Sequence, residues 1–193
     1  MPTGRALRLT AALILLMPAW AGAAAADTGA LWRALAGGGH VAMMRHAEAP
    51  GTGDPPEFRI GDCSTQRNLD DTGRSQARRA GEAFRRNGVQ AARVISSEWC
   101  RCQETAALLG IGKVETLPAL NSLHGRRENE AAQVEAMRRF LDDLPVGGPS
   151  VVLVSHQATI SALAGVYPRS GAIVVLKLKD PGVFDVAGSI PPS

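Results

Sequence analysis

Two uninterrupted apolar runs, Val41-Ala42-Met43-Met44 and Val151-Val152-Leu153-Val154, each end at polar or charged residues. Runs of this length without alternation are strands covered on both faces, the pattern of a parallel sheet. His40 to Arg45 and Val151 to Ser155 are therefore predicted as strands, with further strands at Arg93 to Ser97, Val114 to Leu117 and Ala172 to Leu178. Between them the period changes. Ala77, Ala80 and Phe84 share one face of a helix that Asp71 or Thr72 can cap and Asn87-Gly88 closes near Arg86. Val134, Met137, Leu141 and Leu144 mark a second amphipathic helix. Shorter helices are read at Leu31 to Ala36, ended by Gly37-Gly38-Gly39, at Glu98 to Leu109 and at Thr159 to Gly165.

Strands alternating with helices predict an α/β fold: a three-layer sandwich around a mostly parallel, doubly wound sheet. Pro50 to Asp62, rich in Gly, Pro and Asp, reads as loop, as does the stretch from Leu117 to about Glu130. From Pro181 the tail is Pro/Gly-rich and expected to be irregular.

Residues 1–26 carry a different pattern. Arg5 and Arg8 precede the apolar stretch Leu13-Ile14-Leu15-Leu16-Met17, and the small-residue run Ala21 to Ala26 follows. That is the layout of a cleavable signal peptide, and the apolar part is shorter than the roughly 20 residues a membrane span needs. The expected mature chain, residues 27–193, is a single domain exported to a bacterial periplasm or secreted, with no stable membrane insertion after cleavage. The leader holds two arginines and no acids, so the formal charge of +3 on the whole chain becomes +1 on the mature part. A balance so near neutral, with no lysine-rich tract, excludes a nucleic-acid partner. Three cysteines enter the oxidising compartment, and one disulfide is expected from Cys63 to Cys100 or Cys102.

Chemistry gathers where the strands end. Arg45-His46 leaves the first strand, Ser96-Ser97 leads to Arg101, and Val154-Ser155 leads to His156. In open α/β sheets functional groups collect at the carboxyl ends of strands. A neutral imidazole is a competent nucleophile toward phosphorus, and guanidinium forks match phosphate oxygens. Nearby guanidiniums would also lower the pKa of His46, while a protonated His156 could donate to the same oxygens.

These segments resemble the motifs of a known family. Arg45-His46-Ala47 is similar to the Arg-His-Gly signature of the histidine phosphatase superfamily, the phosphoglycerate mutase-like enzymes. Ser96-Ser97-Glu98-Trp99-Cys100-Arg101-Cys102-Gln103-Glu104-Thr105-Ala106 resembles its S-S-P-x-x-R-A-x-Q-T-A segment. Arg67-Asn68-Leu69-Asp70-Asp71-Thr72-Gly73 with Gln76-Ala77 resembles its R-x-L-T-x-x-G-x-x-Q-A stretch, and Val152 to His156 the strand bearing its second histidine. The likeness is collinear from His40 to about Gly165. It implies a phosphoglycerate mutase-like fold and a metal-independent phosphomonoesterase without cofactor. His46 would be the phosphorylated nucleophile, Arg45, Arg101 and His156 the phosphate pocket, and Arg67 a further substrate-binding residue.

Two departures qualify that picture. Larger members place glutamate in a Leu-Asn-Glu stretch as proton donor, whereas here Leu120-Asn121-Ser122 puts serine there. Glu48, Glu98, Asp54, His124, Arg126, Arg127 and Glu128 are the remaining polar groups near the pocket in sequence. The mature chain also has no room for the helical cap of phytase-like relatives, so an open pocket is expected. That suits an exposed phosphate on an envelope glycan or a phosphorylated small molecule. The missing glutamate leaves a second reading, a catalytically silent phosphate-binding or envelope-interaction protein. Phosphoglycerate mutase activity fits poorly, since export removes the substrate and the acid is absent.

Overall fold

The structure is a computed structural model that describes residues 27–89, 93–180 and 182–193. The expected signal peptide, residues 1–26, lies outside the described residues.

Six strands form one sheet: β1 (His40–Arg45), β2 (Arg93–Ser96), β3 (Val114–Thr116), β4 (Val151–Ser155), β5 (Ile173–Asp180) and β6 (Val183–Ile190). Their order is β3-β2-β4-β1-β5-β6; the first four are parallel, β5 is antiparallel to β1, and β6 is antiparallel to β5. The helices are α1 (Thr28–Gly37), α2 (Asp71–Arg86), α3 (Cys100–Leu109), α4 (Glu130–Asp142) and α5 (Gln157–Ala164).

Both faces of the central strands are covered, as their unbroken apolar runs require. Ala42, Met44, Val152 and Val154 pack with Leu31, Trp32 and Leu35 of α1, Phe84 of α2 and Leu109 of α3. Val41, Met43, Val151 and Leu153 pack on the opposite side against Met137 and Leu141 of α4 and Ile160 and Leu163 of α5. This is the expected three-layer α/β/α sandwich. Trp32 and Phe84 meet edge to face at 5.0 Å between ring centroids, tying α1 to α2. Gly81 sets the approach of α2 to α3: a Cβ there would stand 2.0 Å from the Leu109 carbonyl oxygen, so any larger residue would force the helices apart.

Two expectations are corrected. The cap of α2 is Asp70, one residue before Asp71, and its carboxylate accepts from Gly73 N at 2.7 Å. An extended Asp70 leaves Asp71 free to start the helix, where its charge suits the positive end of the helix dipole. The tail from Pro181 is not irregular. Val183–Ile190 forms β6, hairpin-paired with β5, with Gly182 at φ 73 in the tight turn and a register shift where Gly188 faces Val175. Gly182, which reads as a breaker in sequence, lies in the turn of a hairpin, and the bulge spoils the alternation that would have marked the strand. No helix among the described residues is long and apolar enough to cross a membrane.

Candidate active site

The register of the two central strands builds the site. Arg45 of β1 lies opposite Ser155 of β4 in a parallel ladder, so the residues that follow, His46 and His156, emerge side by side. Their rings sit 5.4 Å apart, at an interplanar angle of 67°. A hydrogen bond from His46 N to the Ser155 carbonyl, 2.9 Å, carries the pairing one residue past the strand. Beyond it, Ala47 N donates to Thr105 Oγ1 (3.1 Å), whose hydroxyl donates to the Arg101 carbonyl (2.6 Å). That chain fixes α3 against the exit of β1 and sets Arg101 in its first turn.

His46 is 2% exposed, and its Nδ1 lies 2.8 Å from the Ala47 carbonyl oxygen. A carbonyl only accepts, so Nδ1 carries the proton and Nε2 keeps its lone pair, the tautomer a nucleophile needs. Burial pushes this imidazole down to about 3, with Arg101, Arg45 and Arg67 adding to the shift. The sequence pointed to the arginines as the cause; burial is the larger one. His156, 3% exposed, is likewise held well below its ordinary value, first by burial and then by His46 and the arginines. It is therefore neutral at neutral pH rather than the protonated donor expected. Its Nε2 lies 2.9 Å from Ser97 Oγ and its Nδ1 3.4 Å from Arg101 Nη2. Since the arginine only donates, Nδ1 is the acceptor and Nε2–H donates to Ser97. Ser97 in turn donates to Asn121 Oδ1 at 3.2 Å.

Three guanidiniums share the cleft. Arg101 is 2% exposed and pairs end-on with Asp54, Nη1 to Oδ1 at 2.7 Å and Nη2 to Oδ2 at 3.0 Å. Arg45 Nη1 donates to the Pro168 carbonyl at 3.1 Å. Arg67 donates through Nε to the Gly53 carbonyl at 2.7 Å and through Nη1 to the Ala49 carbonyl, so much of its work is to hold the 49–53 loop. Burial lowers the pKa of Arg45 and Arg67, but both stay charged across the physiological range. The Nε atoms of Arg45 and Arg101 are buried without a hydrogen-bond partner. Buried donors of charged groups seldom stay unpaired, and two of them in one cleft mark where an anion is wanted.

The cleft, about 430 Å³, is lined at its floor by Arg45, His46, Arg67, Arg101 and His156. Its mouth is formed by residues of the 120s loop, among them His124 and Arg127, and by Gln157, Ser161 and Tyr167, the last 76% exposed. The volume suits a phosphorylated small molecule or the end of a larger one. The sequence-derived set Arg45, His46, Arg67, Arg101 and His156 is thus brought to one place. Of the polar groups near the pocket in sequence, Asp54, His124 and Arg127 line the cleft, together with Glu130, which the sequence did not single out. Glu98 instead accepts from Asn121 Nδ2 at 2.7 Å, and Arg126 stacks over Phe58 and Trp99 at 4.7 and 5.3 Å. Ser122 lines the cleft with its hydroxyl accepting from His124 N at 3.3 Å.

Sequence reasoning missed the supports: the Asp54–Arg101 fork, Trp99 Nε1 donating to Asp54 at 3.0 Å, and Ser97 beneath His156. The disulfide is Cys63–Cys100. It ties the short turn at Cys63–Thr65 to the start of α3, next to Arg101. Cys102 is buried 3.4 Å from His156 Nε2, and burial pushes its thiol up to about 12, so it stays protonated and unreactive.

The buried histidines make stability depend on pH with a definite sign. An unfolded imidazole titrates near 6.5, so between there and about 3 the unfolded chain binds a proton that folded His46 refuses. Stability is full above pH 6.5 and lost on acidification, by at most about 1.4 kcal/mol per pH unit for one such group. His156 acts in the same direction. So does Asp54, whose carboxyl burial pushes up but Arg101 pulls lower still, leaving it below the usual range. The melting temperature is expected to fall steadily from pH 7 to pH 4, and His46→Asn to flatten part of the slope. A profile flat over that range would contradict the buried neutral imidazoles.

A model of the histidine phosphatase superfamily (branch 1) matches residues 41–144, and the chain belongs to that superfamily. Solved structures share its phosphoglycerate mutase-like fold. The protein histidine phosphatase SixA complexed with tungstate aligns with a TM-score of 0.59 at 20% identity, over 79% of this chain and 97% of that one. A putative phosphohistidine phosphatase SixA from Nakamurella multipartitia gives 0.54 at 20% identity, over 79% and 95%. The mycobacterial glucosyl-3-phosphoglycerate phosphatase Rv2419c complexed with VO3 gives 0.54 at 17% identity, over 72% and 91%. No curated protein matches the chain significantly in sequence.

Proposed function

We propose that the chain is a phosphomonoester hydrolase that works through a phosphohistidine on His46. The observation that carries the reading is a neutral imidazole with its Nε2 lone pair free, in a cleft lined by Arg45, Arg67 and Arg101. In the first step Nε2 attacks phosphorus in line and the bond to the ester oxygen breaks, its electron pair leaving with that oxygen. In the second, water displaces the imidazole and releases phosphate. Arg45 and Arg101 neutralise the charge spread over the equatorial oxygens, and the first turns of α3 and α5 add their positive ends.

Neither step needs a metal or a cofactor. With serine at position 122 and Asp54 committed to Arg101, the cleft lining keeps one other carboxylate, Glu130, and that lies 3.6 Å from the Arg127 guanidinium. Substrates whose leaving group needs no proton should therefore react fastest. Export is part of the proposal: the leader pattern of residues 1–26 and the Cys63–Cys100 disulfide both fit an oxidising periplasm. Its substrates would be phosphorylated small molecules or envelope glycans, either of which an uncapped cleft admits.

The test is turnover of 4-nitrophenyl phosphate in the presence of chelator, expected to be at least about 100-fold faster in kcat/KM than that of glycerol phosphate. Lack of turnover of any ester in a broad panel, with vanadate still raising the melting temperature, would favour the silent phosphate-binding reading instead.

A further inference from the structure

Asp54 sits among the cations of the cleft and takes no part in the two steps above. Its oxygens accept four hydrogen bonds: from Arg101 Nη1 (2.7 Å) and Nη2 (3.0 Å), from Trp99 Nε1 (3.0 Å) and from Arg67 N (3.2 Å). The side chain is 10% exposed. Four donors on one carboxylate stabilise its ionised form, which makes it a poor source of protons.

What Asp54 does control is the orientation of Arg101. A guanidinium is a planar fork with five N–H donors, and a carboxylate gripping both terminal nitrogens fixes the plane and the rotation of that fork. With the end-on edge so occupied, the Nε edge is turned elsewhere, and that Nε is the buried unpaired donor of Arg101. The Nε of Arg45, which also lines the cleft, is unpaired in the same way. We propose that Asp54 is a positioning residue: by clamping the terminal nitrogens of Arg101 it presents that arginine's Nε edge to the transferring phosphoryl group, and balances one of three guanidinium charges.

Simple electrostatics predicts something different. If Asp54 merely competed for Arg101, removing its charge would let any oxyanion bind more tightly. A positioning role predicts selective damage to the geometry of the transition state, where misplacement of about 1 Å costs on the order of 100-fold.

The experiment compares the full chain with Asp54→Asn, measuring dissociation constants for orthovanadate and inorganic phosphate by calorimetry. It also measures kcat/KM for 4-nitrophenyl phosphate and glycerol phosphate. Asp54→Asn is expected to weaken vanadate by about 30- to 100-fold while changing phosphate by less than about 3-fold. Its kcat/KM should fall by a similar factor on both esters. Tighter binding of both anions would overturn the proposal, as would unchanged binding of both. A loss confined to glycerol phosphate would also overturn it and make Asp54 the proton donor. Should Asp54→Asn fail to fold, Asp54→Glu, which keeps the charge and shifts the fork by one methylene, carries the same comparison. The kinetic arm rests on the phosphohydrolase reading, whereas the binding arm does not. Wild-type protein that hydrolyses neither ester, yet loses vanadate affinity on Asp54→Asn, would sink that reading and leave the positioning role standing.

Discussion

Replacing His46 by alanine is expected to lower phosphomonoester turnover by about 10⁴-fold or more while leaving phosphate binding within a few-fold of wild type. The split follows from what each group supplies. Anion affinity comes from Arg45 and Arg101, whose buried Nε donors lack partners, and neither is touched by the substitution. The covalent route depends on one lone pair. His156 cannot take over: Arg101 Nη2 points at its Nδ1 and its Nε2 is engaged by Ser97. Water could attack directly, but without the pre-placed nucleophile it loses the advantage of a positioned, effectively intramolecular reaction. Acid-free quenching and peptide mass measurement of wild-type protein should place an acid-labile phosphoryl group on His46. Turnover in His46→Ala at more than a tenth of the wild-type rate, or a phosphoryl adduct elsewhere, would remove the nucleophile assignment.

Legibility in the sequence tracked the range of the interaction involved. β1 and β4 were readable to the residue because a strand buried on both faces must be apolar throughout. Their ends then marked Arg45-His46 and His156, since a charged or titratable residue closing such a run sits where the strand leaves the sheet. The partner of Cys63 was not readable. Cys100 and Cys102 are two apart on α3 and point to different sides of it, so only the phase of the helix decides that Cys100 faces the Cys63 turn while Cys102 faces β4. Asp54 was visible as a loop carboxylate but not as the partner of Arg101, because that bond spans 47 residues of sequence. The edge strand β6 escaped for a local reason, the turn at Gly182 before it and the bulge at Gly188 within it.

Removing Arg101 is expected to cost stability as well as activity, and the two losses can be separated. Arg101 and Asp54 form a nearly buried ion pair, their side chains 2% and 10% exposed. Taking such charges out of water is expensive, and the expense is offset only while both are present. Arg101→Leu would leave the Asp54 carboxylate with Trp99 Nε1 and Arg67 N but no counter-charge in contact. Breaking a buried pair in this way typically costs about 3–5 kcal/mol. The carboxylate can escape part of that cost by taking up a proton, so the deficit should shrink as pH falls toward 4. Adding Asp54→Leu removes the stranded charge. The double variant is therefore expected to be more stable than Arg101→Leu alone, with the cycle showing a coupling of about 1–3 kcal/mol. Phosphomonoester hydrolysis should stay abolished in the double variant, because two leucines restore packing but supply no donor to the anion. Additive losses in denaturant titrations of the four proteins would mean that Asp54 and Arg101 do not depend on each other in solution. The clamp that orients the arginine would then have no energetic basis.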